Sequence, residues 1–331
     1  MALNLFELEP QKISRNLKGK ITLLYGAAGC GKTTLASKFP KSLILSFEPG
    51  TNGLHDKYVA PVKSWSDYKD FVKQLKRTEP KTKKPLLLDK YEILVIDTVD
   101  EAYKLCEKYV CNEHDAETIK DVAGYGGGYK ILDNEFMDSF RELVYYGYGL
   151  LFISHETEKP KINDLGQEYN QIVPALPNRP FLLINKFVDI IGYIRDVPEK
   201  RDDKIVHERY IFLRSDERFL TKCRFHYIVP KVKLNYNDFV NAIYEAIDKE
   251  AAASGDEATD EENIYFSKTF DELMEEAKNI WIKATVDQKE AIMTILEKNF
   301  EKTIKFSEIT SEQKTELEDS LREIKDSLNF D

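Results

Sequence analysis

No run of apolar residues in this chain approaches the ~18 that a membrane-crossing helix needs. The opening residues MALNLFELEP lack the basic and apolar regions of a secretory signal. A cytoplasmic protein with no membrane partner is the expectation. Cysteine is scarce: Cys30, Cys106, Cys111 and Cys223 are the four present. Their spacing fits no metal-binding pattern, so reduced thiols are expected in place of disulfides. Internal repeats and heptad runs are missing too, which leaves no sign of a solenoid or a coiled coil.

What is present is ordinary in bulk and uneven in detail. The 331 residues are 42% hydrophobic and 32% charged, the profile of a soluble globular chain with room for roughly two domains. The net charge of −10 would argue against nucleic acid if it were evenly spread. From residue 251 onward, however, there are 21 acidic and 10 basic residues, and the rest of the chain sums to +1. An acidic tail is joined to a nearly neutral body, so the overall charge says little about what the body binds.

The body alternates short Ile, Leu and Val runs with helical segments, which predicts an α/β fold with a mainly parallel sheet flanked by helices. Ile21 to Tyr25, Leu43 to Phe47, Ile93 to Ile96, Leu150 to Ser154 and Val188 to Ile194 read as buried strands. Lys32 to Phe39, ended by Pro40, reads as helix, as do Ser66 to Lys76 and Asn134 to Tyr145. Arg209 to Leu213 and Phe225 to Val229 read as two strands around a turn at Ser215 to Glu217, extending one sheet edge antiparallel. Ala251 to Asn263 is small and acidic, the composition of a flexible linker. The expected organisation is a core over 1–250, a linker over 251–263 and an acidic helical region over 264–331.

Gly26-Ala27-Ala28-Gly29-Cys30-Gly31-Lys32-Thr33 matches the pattern G-x-x-x-x-G-K-[ST], with a strand before it and a helix after it. Glycines let successive N–H groups turn toward phosphate oxygens, and the following helix adds its positive end, with Thr34 continuing the cradle. Lys32 is expected on the terminal phosphates of ATP and Thr33 on Mg²⁺. Asp97 ends the apolar strand Ile93 to Ile96 and is the expected second metal-holding residue. Two acids are placed to activate water at strand ends, Glu48 and Asp100. In many P-loop ATPases the base directly follows the metal Asp. Thr98 stands there instead, which favours Glu48 without removing Asp100. Ser154 and His155 end another apolar strand, where a side chain would sense the γ-phosphate.

These elements resemble the RecA-like ATPase core, and in particular the phage-encoded ATP-binding proteins related to RecA-type recombinases and described as single-strand annealing proteins. The likeness rests on Gly26 to Thr34, Ser46 to Leu54, Ile93 to Thr98, Gly124 to Tyr129 and Ile153 to Glu156, and covers residues 10–240. It implies a catalytic role for Glu48, alongside Lys32, Ser154 and His155. It also implies two loops that bind single-stranded DNA, here Gly124 to Lys130 and His155 to Ala175. Tyr125 and Tyr129 would stack on bases, and Lys130 and Lys159 would meet phosphates. A mobile Gly-rich loop whose tyrosines pack on the body is the competing reading. The basic stretch Lys76 to Lys90 is a further phosphate contact or a solvated face.

The same resemblance implies self-association in a ring or filament, with a cation from the next subunit completing the site. Arg214, Arg218, Lys222 and Arg224 are the candidates. The expected function is ATP-dependent binding of single-stranded DNA with annealing or strand exchange, at a slow, DNA-stimulated rate of hydrolysis. A nucleotide-switched adaptor, such as a helicase loader, is the alternative, with the acidic tail docking a single-strand-binding or replication protein. A small-molecule kinase is disfavoured, since no arginine-rich lid follows the phosphate loop.

Overall fold

Apolar runs that are continuous, not alternating, need cover on both faces, and five such runs become the buried parallel strands of one sheet. In chain order the first elements are β1 (Thr22–Gly26), α1 (Lys32–Ala36), β2 (Ser42–Ser46), β3 (Tyr58–Pro61), α2 (Trp65–Leu75), β4 (Ile93–Asp97) and α3 (Val99–Glu113). There follow α4 (Ile119–Val122), α5 (Gly127–Tyr145), β5 (Gly149–Ser154), β6 (Glu156–Ile162), β7 (Glu168–Pro174), α6 (Asn178–Phe187), β8 (Ile190–Arg201) and β9 (Lys204–Phe212). The chain continues with β10 (Lys222–Cys223), β11 (Lys231–Lys233), α7 (Tyr236–Ala253), α8 (Phe270–Lys283), α9 (Val286–Phe300) and α10 (Lys314–Leu328). The computed structural model describes residues 12–50, 53–79, 84–163, 165–201, 204–260, 270–300, 302–310 and 313–328. Residues 261–263 of the expected linker and 80–83 of the basic stretch lie outside them.

The sheet runs β11-β9-β8-β1-β5-β4-β2-β3, with β10 also on β8. From β8 to β3 every pairing is parallel; β9, β10 and β11 add antiparallel partners at one edge. β5 is inserted between β1 and β4, and the register sets Tyr25 beside Ser154, Asp97 beside Ile153 and Ser46 beside Asp97. The carboxyl ends of β1, β5, β4 and β2 therefore form one row, where an open α/β sheet presents its ligand site. The architecture is an α/β core, a mostly parallel central sheet flanked by helices.

Alternate residues of each strand serve opposite faces. Leu23, Tyr25, Leu94 and Ile96 join a core with Trp65, Tyr68, Phe136 and Phe140, while Leu24, Ile93 and Val95 join one with Phe39, Phe239, Ile243 and Ile247. In the first, edge-to-face rings run from Phe136 to Phe140 at 5.0 Å and on to Phe152 at 5.1 Å. Trp65 lies in the same core, and its Nε1 donates to Glu135 Oε1 at 2.9 Å. α2 begins where Ser64 and Asp67 close a capping box.

The structure departs from the sequence reading in four places. Phe225 to Val229 is not a strand: Phe225 and Ile228 are buried, but as plugs from an irregular turn into the second core. β9 pairs with β11 on one side and with β8 on the other, the latter in a long antiparallel ribbon from Tyr193–Phe212 to Arg201–Lys204 whose charged residues disguise it as a loop. α5 begins at Gly127, seven residues before the expected Asn134, so the Gly/Tyr segment is largely its first turn. Ala251–Ala253 complete α7, with Ala251 buried, and Thr259 bridges to Ser14. The first part of the expected linker is thus packed structure.

By contact the chain divides into two units, one holding Pro10–Arg77 and Leu86–Phe266, the other Thr78–Pro85 and Ser267–Asp331. In the second, α8 to α10 enclose a core of their own, with Leu273, Ala277 and Ile280 facing Ile292, Leu296, Leu317, Leu321 and Ile324. These apolar residues recur at helical spacing, in keeping with the acidic helical region expected over 264–331. Among the described residues no helix is long and apolar enough to cross a membrane.

Candidate functional site

The loop between β1 and α1 owes its path to glycine. A Cβ on Gly26 would stand 2.4 Å from the Ile194 carbonyl oxygen of the neighbouring strand, and Gly31 has φ +103°, which side chains disfavour. Lys32 is buried, and its Nζ donates to the carbonyls of Gly26 and Ala27, each at 2.8 Å. Cys30 is buried beside it and fills space in the loop, and burial pushes its thiol pKa up, opposed by the nearby Lys32 ammonium.

Thr33 Oγ1 donates to Asp97 Oδ2 at 2.8 Å. Asp97 is buried, and burial raises its carboxyl pKa, opposed by the Thr33 hydrogen bond; nearby Glu48 adds to the rise. A hydroxyl and a carboxylate side by side are oxygen ligands of the kind a hard divalent cation takes, and a cation would relieve the buried charge. These two residues fit Mg²⁺, which when bound would neutralise phosphate charge.

Glu48 follows the end of β2, and its carboxylate accepts from Thr98 Oγ1 at 2.5 Å. Thr98 stands beyond Asp97 across a cis peptide bond. His155 Nδ1 lies 2.9 Å from Asp100 Oδ2 and 3.6 Å from Glu48 Oε1, and its backbone N–H donates to Asp100 Oδ1 at 3.3 Å. Ser154 is fully buried, with Oγ donating to the His155 carbonyl at 3.1 Å. The structure thus gathers Lys32, Thr33, Asp97, Glu48, Ser154 and His155 at one row of strand ends. What sequence reasoning missed is the role of Thr98 as a partner of Glu48 and the joining of Asp100 to His155. Contacts between residues 50 and 55 positions apart leave no local pattern.

His155 is also the residue from which the β6–β7 hairpin departs. Ala175 N–H donates to the His155 carbonyl at 2.8 Å and closes the hairpin base. The second expected DNA loop is therefore largely an ordered two-stranded hairpin. Ile162 and Leu165 stand exposed near its tip.

The other candidates fare unequally. Tyr125 is fully exposed, at φ +54°, and Lys130 is exposed on α5. Tyr129 packs against the first core with the Arg179 guanidinium 5.4 Å from its ring centre. Lys159 donates to Leu176 O at 3.1 Å and to Asn178 Oδ1 at 2.7 Å, and burial lowers its pKa. Of the four cations, Arg214 bonds the carbonyls of Ile228 and His226, Lys222 those of Val188 and Asn185, and Arg224 pairs with Asp189 at 2.9 Å. Arg218 is exposed, and its guanidinium has no partner among the described residues.

A cavity of 810 Å³ opens on the far side of the phosphate loop, lined by Gly31 and Thr34 and by His207, Arg209, Asn235 and Tyr236. Arg209 pairs with Asp196 at 3.1 Å. No motif marks this cavity, because much of its wall comes from β9 and the start of α7, far along the chain from the loop.

Comparison with known proteins adds three findings. The chain is 28% identical over 337 residues to the SPbeta prophage-derived uncharacterized protein YorG of Bacillus subtilis (strain 168), covering 99% of each chain. The crystal structure of flagellar accessory protein FlaH from Methanocaldococcus jannaschii aligns at 10% identity and a TM-score of 0.32, over 61% of this chain and 79% of that one. Residues 18–225, which carry the phosphate loop, Asp97, Glu48 and His155, match the family described as an AAA domain, and the chain belongs to that family of P-loop NTPases.

Proposed function

We propose that this protein hydrolyses ATP with Mg²⁺ and uses the cycle to bind single-stranded DNA, promoting annealing or homologous recombination for a phage. One observation carries the reading. The carboxylate best placed to activate water, Glu48, touches the residue from which the β6–β7 hairpin departs, His155, so nucleotide chemistry and the expected DNA segment share a side chain. The phosphates lie on Gly26 to Thr33, and the nucleoside extends past Thr34 into the cavity lined by His207, Arg209 and Tyr236. Tyr125 and Lys130 supply base stacking and phosphate contact. Arg218 is the cation offered to a neighbouring subunit in a ring or filament. The phage setting comes from the prophage origin of the relative that spans nearly the whole chain.

Binding of fluorescent single-stranded oligonucleotides with and without ATP tests this. Affinity should rise with ATP and the ATP effect should vanish in Lys32→Ala. Affinity no better than millimolar under both conditions would end the reading.

A second reading, a nucleotide-switched adaptor for a replication protein, is favoured by the separate core of α8 to α10. Truncation after Phe266 separates the two, since it spares Ala251 and the Ser14–Thr259 bridge. DNA binding persists if the first unit anneals DNA; partner binding fails if the second unit is the adaptor surface.

A further inference from the structure

Asp100 lies in the first turn of α3 and is buried. A buried carboxylate must find hydrogen-bond donors, and both of its oxygens are given to one residue. Oδ1 accepts from the His155 backbone N–H, and Oδ2 lies 2.9 Å from His155 Nδ1. An acid held this way fixes main chain and ring together, and it selects the tautomer with hydrogen on Nδ1. That nitrogen is also 3.6 Å from Glu48 Oε1. A bare lone pair there would face two carboxylates, whereas a hydrogen is attracted by both. Glu48 itself stands in a bend after β2, with its side chain 32% exposed. Thr98 and His155 are the groups that restrain it.

The geometry points to Asp100 as a positioning residue which, through the ring of His155, holds Glu48 in its productive orientation. Asp100 is thus not the base. The inference rests on the reading of Glu48 as the carboxylate that activates water. Base catalysis depends on placement before strength, so a carboxylate free to rotate in a surface bend would lose most of its effect.

The test combines steady-state ATP hydrolysis by the full chain with ¹⁵N spectra of its histidine ring nitrogens, the His155 signals being assigned by their loss in His155→Gln. Asp100→Asn keeps the shape but leaves one oxygen for two N–H groups. It should lower kcat at least about tenfold, the worth of one hydrogen bond to a charged group, with KM for ATP unchanged. The Nδ1–H signature of His155 should disappear in the same variant. Adding Asp100→Asn to His155→Gln should cause no further loss, because Asp100 acts only through that ring. His155→Asn, whose amide nitrogen falls where Nδ1 stood, should retain more activity than His155→Gln. Should Asp100→Asn fail to fold, Asp100→Glu, which keeps the charge but displaces it, gives the same comparison.

Additive losses in the double variant, or an unchanged Nδ1–H signature in Asp100→Asn, would overturn the assignment. If the native chain binds Mg-ATP without hydrolysing it, the hydrolytic reading fails by itself. The ring signature then decides the role of Asp100 alone.

Discussion

At the carboxyl ends of β1, β2, β4 and β5 the candidate groups are held by near neighbours: Lys32 by loop carbonyls, Thr33 by Asp97, Glu48 by Thr98, His155 by Asp100. At the start of α5, Tyr125 and Lys130 stand in solvent, with no side-chain partner among the described residues. The first region is preorganised. Removing one member strands its neighbours in a low-dielectric site, so effects there are large and non-additive. The second region gains contacts only when a ligand arrives, and each group contributes a small, separable amount. Substitution in the two regions therefore differs in size and also in kind.

The largest expected effect belongs to Glu48. Glu48→Gln keeps the size and the acceptor for Thr98 but removes the basic charge, and hydrolysis should fall about 10²- to 10⁴-fold while ATP still binds. Single-turnover hydrolysis and nucleotide binding on the same sample check this. Equal loss of both would show that the site behaves as one unit and that Glu48 has no separate chemical part. Lys32→Ala comes next, with a fall of about 10²- to 10³-fold in kcat/KM. Here ATP affinity should drop as well, since Lys32 meets the nucleotide in ground and transition states alike.

The same contrast explains how far the sequence could be read. Gly26 to Thr33 and Ile93 to Asp97 are contiguous, and each demands a local conformation, so their chemistry is written in adjacent letters. The parallel strands were legible because burial on both faces forces continuous Ile, Leu and Val. The β8–β9 ribbon was not, because Glu199 to Glu208 is mostly charged and its pairing obeys partner register, not composition. Phe225 and Ile228 misled in the opposite sense: burial was read correctly, but plugs from a turn carry the same apolar signature as a strand. The link from Glu48 through His155 to Asp100 joins three distant segments, and only the strand order β5-β4-β2 brings them together.

Smaller effects are expected on the exposed side. Tyr125→Ala should weaken single-stranded DNA binding by about 1–3 kcal/mol, the worth of one stacked base. Tyr125→Phe should bind normally, since the ring and not the hydroxyl does the stacking. Both variants share the φ +54° of the native residue, so backbone strain cancels between them. If Ala and Phe behave alike, Tyr125 has no stacking role, and the exposed region loses its main claim.

Lys130→Ala should give the smallest change and the most diagnostic one. A lysine that meets a phosphate releases roughly one counterion, so its loss should reduce the slope of log affinity against log salt by about 0.7 for a single strand. The reduction should be the same for every base sequence, because phosphates carry no sequence information. ATP hydrolysis without DNA should be unchanged, as Lys130 bonds no member of the nucleotide cluster. A loss of hydrolysis in Lys130→Ala would break the comparison itself, since an exposed group would then behave like a buried one. An unchanged salt slope with weakened binding would assign Lys130 to shaping the start of α5, and the phosphate contact would have to be sought elsewhere on that face.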